Sequence, residues 1–121
     1  KDIYQILLQI WDAETVELRE EFKILLLNRA NRLLGFYNLS AGGVSGTVVD
    51  PKLVFSTALK ANASGIILAH NHPSGATTPS PQDISLTKKI REGGKLLEIQ
   101  LLDHIIYTVD SYLSIADEGM L

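Results

Sequence analysis

Apolar residues recur at helical spacing at the start of the chain. Ile3, Ile6, Leu7, Ile10 and Trp11 predict an amphipathic helix over roughly residues 2–13. Two short apolar runs follow, Phe22 to Leu27 and Leu33 to Leu39. The polar, turn-like Asn28-Arg29-Ala30-Asn31-Arg32 lies between them, so the pair reads as a hairpin. Ala41-Gly42-Gly43-Val44-Ser45-Gly46 reads as a mobile connection and matches neither a P-loop nor a dinucleotide fingerprint. Asp50-Pro51 has the form of an N-cap followed by proline at the first helical position. The helix behind it carries Val54, Phe55, Ala58 and Leu59 on one face and stops near Asn62 to Gly65. Ile66-Ile67-Leu68-Ala69 is too short for a helix and apolar throughout, as expected of a buried central strand. A further helix is predicted from about Pro81 to Glu92, ending at Gly93-Gly94. Leu97 to Leu102 and Ile105 to Val109 read as two more strands. The class is therefore α/β, with no repeat, low-complexity tract or internal linker.

Composition narrows the reading. A chain of 121 residues is expected to be one domain, long enough to bury a core. Hydrophobic content of 45% and charge of 21% are those of a soluble globular protein. The formal charge, 11 − 14 = −3, argues against a dominant nucleic-acid footprint and leaves room for a local basic patch. Lys88, Lys89, Arg91 and Lys95 read as a solvated helix face and its end. The absence of cysteine excludes disulfides and thiolate-bound metals and fits a reducing cytoplasm, the expected location. No signal peptide or membrane span is visible, so no membrane partner is expected. A chain that begins with Lys1 reads as a fragment or a processed product.

The candidate chemistry is concentrated in fourteen residues, His70-Asn71-His72-Pro73-Ser74-Gly75-Ala76-Thr77-Thr78-Pro79-Ser80-Pro81-Gln82-Asp83. If the preceding apolar run is a strand, side chains alternate, and His70 and His72 point the same way. A single buried histidine is more often a hydrogen-bonded core residue than a ligand. Two at this spacing would both need partners on one face. Ser80-Pro81-Gln82-Asp83 reads first as a capping box with aspartate in place of the usual glutamate. Asp83, however, shares a helical face with Leu86 and Ile90, so it should point inward and need a cation or donor. Two imidazoles and one carboxylate make three N/O ligands and leave a position for water, the arrangement of a catalytic rather than a structural zinc.

His70-x-His72, seven residues, Ser80, two residues and Asp83 resembles the His-x-His-x7-Ser-x-x-Asp signature of JAMM/MPN-type metalloproteases. The flanking sequence is similar to the bacterial RadC family. The similar segments are Glu20-Glu21-Phe22-Lys23-Ile24-Leu25-Leu26-Leu27-Asn28, Leu68-Ala69-His70-Asn71-His72-Pro73-Ser74-Gly75 and Leu101-Leu102-Asp103-His104-Ile105-Ile106. The likeness covers about residues 19–121, taken as the metal-binding core, with 1–18 as an N-terminal helical segment that packs on it. No segment resembles the helix-hairpin-helix module of longer RadC proteins.

The resemblance implies a cytidine-deaminase-like mixed sheet flanked by helices, with one zinc at a strand end and a helix start. It implies His70, His72 and Asp83 as ligands, Glu20 as general base and Ser80 as oxyanion donor. Glu20 is favoured over the adjacent Glu21 on the match to the family pattern, since alternation allows only one to face the metal. Asp103 and His104, similar to the RadC Asp-His pair, are expected in structural or second-shell roles. The expected activity is hydrolysis of a peptide or isopeptide bond, with a protein or peptide substrate. The alternatives are a DNA-repair-associated factor, which leaves nucleic acid open as a partner, and a non-catalytic scaffold held by its metal. An HNH nuclease is rejected, because that motif is spread over a ββα-metal unit rather than written as one tripeptide. Substrate, metal identity and oligomeric state stay open.

Overall fold

The computed structural model describes residues 3–41 and 49–121; the expected glycine loop at 42–46 lies outside them. The elements run α1 (Ile3–Ile10), β1 (Glu21–Leu27), β2 (Leu33–Ala41), α2 (Pro51–Lys60), β3 (Gly65–Asn71), α3 (Pro81–Leu97), β4 (Gln100–Tyr107) and β5 (Tyr112–Ser114). The five strands form one mixed sheet in the order β2-β1-β3-β4-β5. β3 and β4 are parallel, joined through α3, and the other neighbours are antiparallel. The mixed α/β sheet flanked by helices is the expected architecture.

Alternation along the strands makes two cores. On one face Phe22, Ile24, Leu26, Ile66 and Leu68 pack with Val54 and Ala58 of α2 and Ile90 of α3. On the other, Leu25, Ala69, Ile105 and Tyr107 meet Leu7 of α1 with Trp11 and Val16. The N-terminal helix thus packs on the core, as its apolar stripe predicts. Two caps match their sequence signals. Asp50 accepts from the Lys52 amide at 2.9 Å with Pro51 at the first helical position, and Ser80 and Asp83 form a reciprocal capping box.

Three expectations are corrected. The helix expected to stop at Gly93-Gly94 runs on to Leu97 and ends at Glu98, whose φ of 58° is left-handed. The two glycines answer crowding rather than termination. A Cβ on Gly94 would meet the Ile99 carbonyl oxygen, and one on Gly93 would lie 2.8 Å from the Phe55 ring. The two late apolar runs are not separate strands: Leu97 ends α3, and Leu101 through Tyr107 lie in the single strand β4. β5 is only three residues long, too short for a periodic signal. Phe22–Leu27 is also not uniformly apolar. Lys23 is buried, with Nζ 2.6 Å from Asn38 Oδ1, 3.2 Å from Glu21 Oε1 and 4.8 Å from the Trp11 ring centroid.

Candidate metal centre

The site lies where β3 ends, β1 begins and α3 starts. Phe22 of β1 pairs with His70 of β3, so the two side chains share a face and their rings stack at 5.0 Å. Residue 20 has the same parity as Phe22 and therefore faces His70. Glu20 Oε2 lies 3.8 Å from His70 Nε2. Glu21 turns the other way, held by Arg19 at 3.0 Å and Lys23 at 3.2 Å.

His70 and His72 converge as alternation predicts, with their Nε2 atoms 3.0 Å apart. Asp83 comes from the first turn of α3. Its Oδ1 is 3.3 Å from His70 Nε2 and its Oδ2 is 3.7 Å from His72 Nε2. The same carboxylate accepts from the Ser80 amide at 2.8 Å, while Ser80 Oγ accepts from the Asp83 amide at 3.0 Å. Capping and an inward carboxylate therefore coexist. Ser80 Oγ, used here as an acceptor, keeps its own hydrogen to donate.

Burial pushes the Asp83 carboxyl up, but His70, His72 and the Ser80 amide outweigh it and hold the group well below the usual carboxylate range. Asp83 is therefore an anion. His72 is raised, chiefly by Asp83 and against its own burial. His72 Nδ1 lies 2.9 Å from the Ala76 carbonyl oxygen, which can only accept, so Nδ1 carries a proton. Neutral His72 then presents a bare Nε2 to the cluster. A bare nitrogen, a facing imidazole nitrogen and a carboxylate within these distances repel unless a proton or a metal cation sits among them. An N/O donor set of this kind suits zinc and tolerates other divalent metals. Among the described residues, two groups of side chains bring their ligand atoms within 4.8 Å of one another, Glu20 with His70 and His72, and His70 with Asp83 and His104.

His104 is fully buried beneath the site, with Nε2 3.0 Å from His70 Nδ1. Burial, foremost, lowers it to about 3, so it is neutral. It reaches this position through an irregularity. Ile66 pairs with Leu101, but Ile67 pairs with Asp103, so the register slips by one residue at Leu102. Simple alternation from Leu101 would send Asp103 toward the site and His104 away; the bulge exchanges them. Asp103 instead accepts from the His104 and Ala116 amides and the Ser114 hydroxyl, tying β4 to β5 and the turn beyond.

Two side chains escaped the sequence reading. Asn71, 0% exposed, faces opposite to its flanking histidines. It accepts from the Glu21 amide at 2.7 Å and donates to the carbonyls of Val16 and Arg19 at 2.7 and 2.9 Å. It thus fastens the segment that carries Glu20. Its only signal was the alternation that set it apart from the histidines. Thr87 is buried one helical turn after Asp83, and its Oγ is 2.7 Å from His104 Nδ1. Its place on the inward face shared by Asp83 and Ile90 could have found it.

A cleft of about 280 Å³ opens beside the cluster, lined by Glu20, Phe22, Val49, Pro51, Leu86 and Lys89 among others. The larger cavity, about 630 Å³, is at the opposite end of the sheet, between the 28–31 turn and the end of α3, and holds none of the clustered groups. Glu20 and Asp83 line the smaller one.

A family profile described as a RadC-like JAB domain matches residues 1–120. A UPF0758 protein of Flavobacterium johnsoniae is 48% identical over 101 residues, which is 84% of this chain and 44% of that relative. A UPF0758 protein of Porphyromonas gingivalis is 48% identical over 104 residues, 85% of this chain and 46% of the relative. One from Pelobacter propionicus is 40% identical over 117 residues, 93% of this chain and 51% of the relative. The chain spans about half the length of these relatives. With clustered imidazoles and carboxylates at a strand end and a profile matched over nearly its whole length, the chain belongs to the RadC-like JAB domain family.

Proposed function

We propose that this chain is a zinc-dependent hydrolase that cleaves a peptide or isopeptide bond in a protein or peptide substrate. The observation that carries this reading is the convergence of Glu20, His70, His72 and Asp83 beside an open cleft, with the Ser80 hydroxyl at the adjoining helix start. His70, His72 and Asp83 would hold the ion. Zinc bound there would supply an electrophile for the scissile carbonyl and bring the pKa of water to about 7.

The remaining work falls to the chain. The Glu20 carboxylate, at the mouth of the cluster, takes a proton from the attacking water and returns it to the leaving amine. Ser80 donates its hydroxyl hydrogen to the oxygen that gains negative charge in the tetrahedral state. Asp83 stays ionised throughout, because the imidazoles and the Ser80 amide hold its proton off. Glu21 cannot substitute for Glu20, since Arg19 and Lys23 occupy its carboxylate.

The test is a screen of peptides and isopeptide-linked pairs with zinc-loaded protein, followed by Glu20→Gln on any substrate found. The variant should lose at least about a hundredfold in kcat while keeping its zinc. An unchanged rate in Glu20→Gln would remove the base from the account.

A further inference from the structure

We propose that Thr87 and His104 form a hydrogen-bond relay that fixes His70 in the one tautomer able to offer Nε2 to a metal. The inference rests on the reading of the cluster as a metal centre and extends it to two residues that touch neither substrate nor the expected ion.

The relay follows from counting protons. Thr87 Oγ lies 2.7 Å from the Asp83 carbonyl oxygen and 2.7 Å from His104 Nδ1. A carbonyl oxygen only accepts, so the single hydroxyl hydrogen of Thr87 goes to Asp83. Thr87 Oγ must then accept from His104, which places a proton on His104 Nδ1. His104 is fully buried, and its ring nitrogens meet the Thr87 hydroxyl and the His70 ring, neither of them an anion, so it carries no second proton and its Nε2 is bare. His70 Nδ1, 3.0 Å away, must therefore be the donor, and the His70 proton sits on Nδ1. Neutral His70 then has its lone pair on Nε2, the atom facing His72 and Asp83.

Each link has one direction, and the direction is set at the backbone of α3. The carbonyl that starts the relay belongs to Asp83, whose side chain closes the cluster at the other end. Residues 83, 87, 104 and 70 thus form a loop that couples the first turn of the helix to the ring orientation of a strand histidine. His72 has its own short version through the Ala76 carbonyl. Partners that hold the second ring nitrogen of a ligating histidine commonly set its tautomer and basicity.

The relay also decides between the two possible donor groups. His104 Nε2 points at His70 Nδ1, so His104 could ligate a metal only if His70 turned its proton to Nε2. The relay excludes that state and makes Thr87 and His104 positioning residues.

The experiment is a long-range proton–nitrogen correlation spectrum of the histidine rings in zinc-loaded, nitrogen-15-labelled protein, with zinc affinity measured by chelator competition for Thr87→Val and Thr87→Ser. Expected are protons on Nδ1 of both His70 and His104, with zinc-shifted Nε2 resonances from His70 and His72 only. Thr87→Val should weaken zinc about 10–100-fold, and Thr87→Ser, which keeps the hydroxyl, should restore most of it. A proton on His104 Nε2, a zinc-shifted His104 nitrogen, or a folded Thr87→Val of unchanged affinity would overturn the relay. If Thr87→Val does not fold, the spectrum of the parent protein decides alone. A parent that takes up no zinc overturns both the relay and the hydrolase reading. The expected tautomers with bound zinc but no cleaved substrate would sustain the relay and remove the hydrolase.

Discussion

Asn71 stands between the two histidines and faces the other way, and through it Glu20, the proposed general base, is placed. Its three hydrogen bonds hold the backbone from Val16 to Glu21, so Glu20 emerges at a fixed height opposite His70. Asn71→Ala should leave zinc content unchanged, lower the melting temperature, and cut kcat at least about tenfold, because a displaced base loses its geometry before its charge. Zinc loss in that variant would mean that Asn71 supports the ligands instead. The motif histidines, Ser80 and Asp83 were legible from spacing alone, since each sits where alternation or a capping pattern puts it. The partners of Asn71 and Thr87 were not, because one side chain meets a contact 50 residues away in sequence and the other a buried strand histidine. His104 adds a pH dependence. In the metal-free fold it titrates at about 3, against 6.5 when unfolded, so the unfolded chain binds the extra proton between these values. Its contribution to stability is present above pH 6.5 and is lost as pH falls toward 3. Urea unfolding of chelated protein at several pH values should show this slope flattened in His104→Gln over that window. An equal slope in both proteins would contradict a buried neutral His104.

At the scale of elements, α3 does the most. Its N-terminus supplies the capping box, and the two residues of the box are also the candidate ligand and the candidate oxyanion donor. Ser80→Ala should therefore cost about 1 kcal/mol of stability as a lost cap, and in addition lower kcat by about a hundredfold. A variant that lost stability but no rate would leave Ser80 as a cap only. At the other end the glycines misled the sequence reading, because Gly-Gly is both a stop signal and a way to let backbones touch. Gly94 is buried against the Ile99 carbonyl, so Gly94→Ala must move one backbone or the other, despite alanine's higher helix propensity. It should destabilise the protein measurably in thermal unfolding, and a stabilised Gly94→Ala would show that the contact is slack. The bulge at Leu102 is the other hidden device. Apolar periodicity cannot announce a single inserted residue, and without it His104 would leave the site and Asp103 would lose its ties to β5.

For the whole molecule, the sheet separates two cores and lets the candidate metal centre sit at the edge of one of them, outside the carboxyl ends of the parallel strands β3 and β4. Open α/β sheets commonly bind ligands there. The class and the flanking helices were legible because three amphipathic stripes and five apolar runs differ in period. The strand order was not, since nothing local tells β1 to pair with β3. No helix among the described residues is long and apolar enough to cross a membrane. Because the cluster joins β1, β3 and α3, a bound metal should stabilise the entire fold, by about 2.7 kcal/mol at a hundredfold excess over its Kd. Whether the cluster holds a metal is decided first by elemental analysis of protein purified without a histidine tag or added metal, beside the His70→Ala/His72→Ala double variant. About one zinc per chain is expected in the parent and none in a folded double variant. A parent with no zinc that takes up none tightly on addition, or a folded double variant that keeps its zinc, would contradict that expectation.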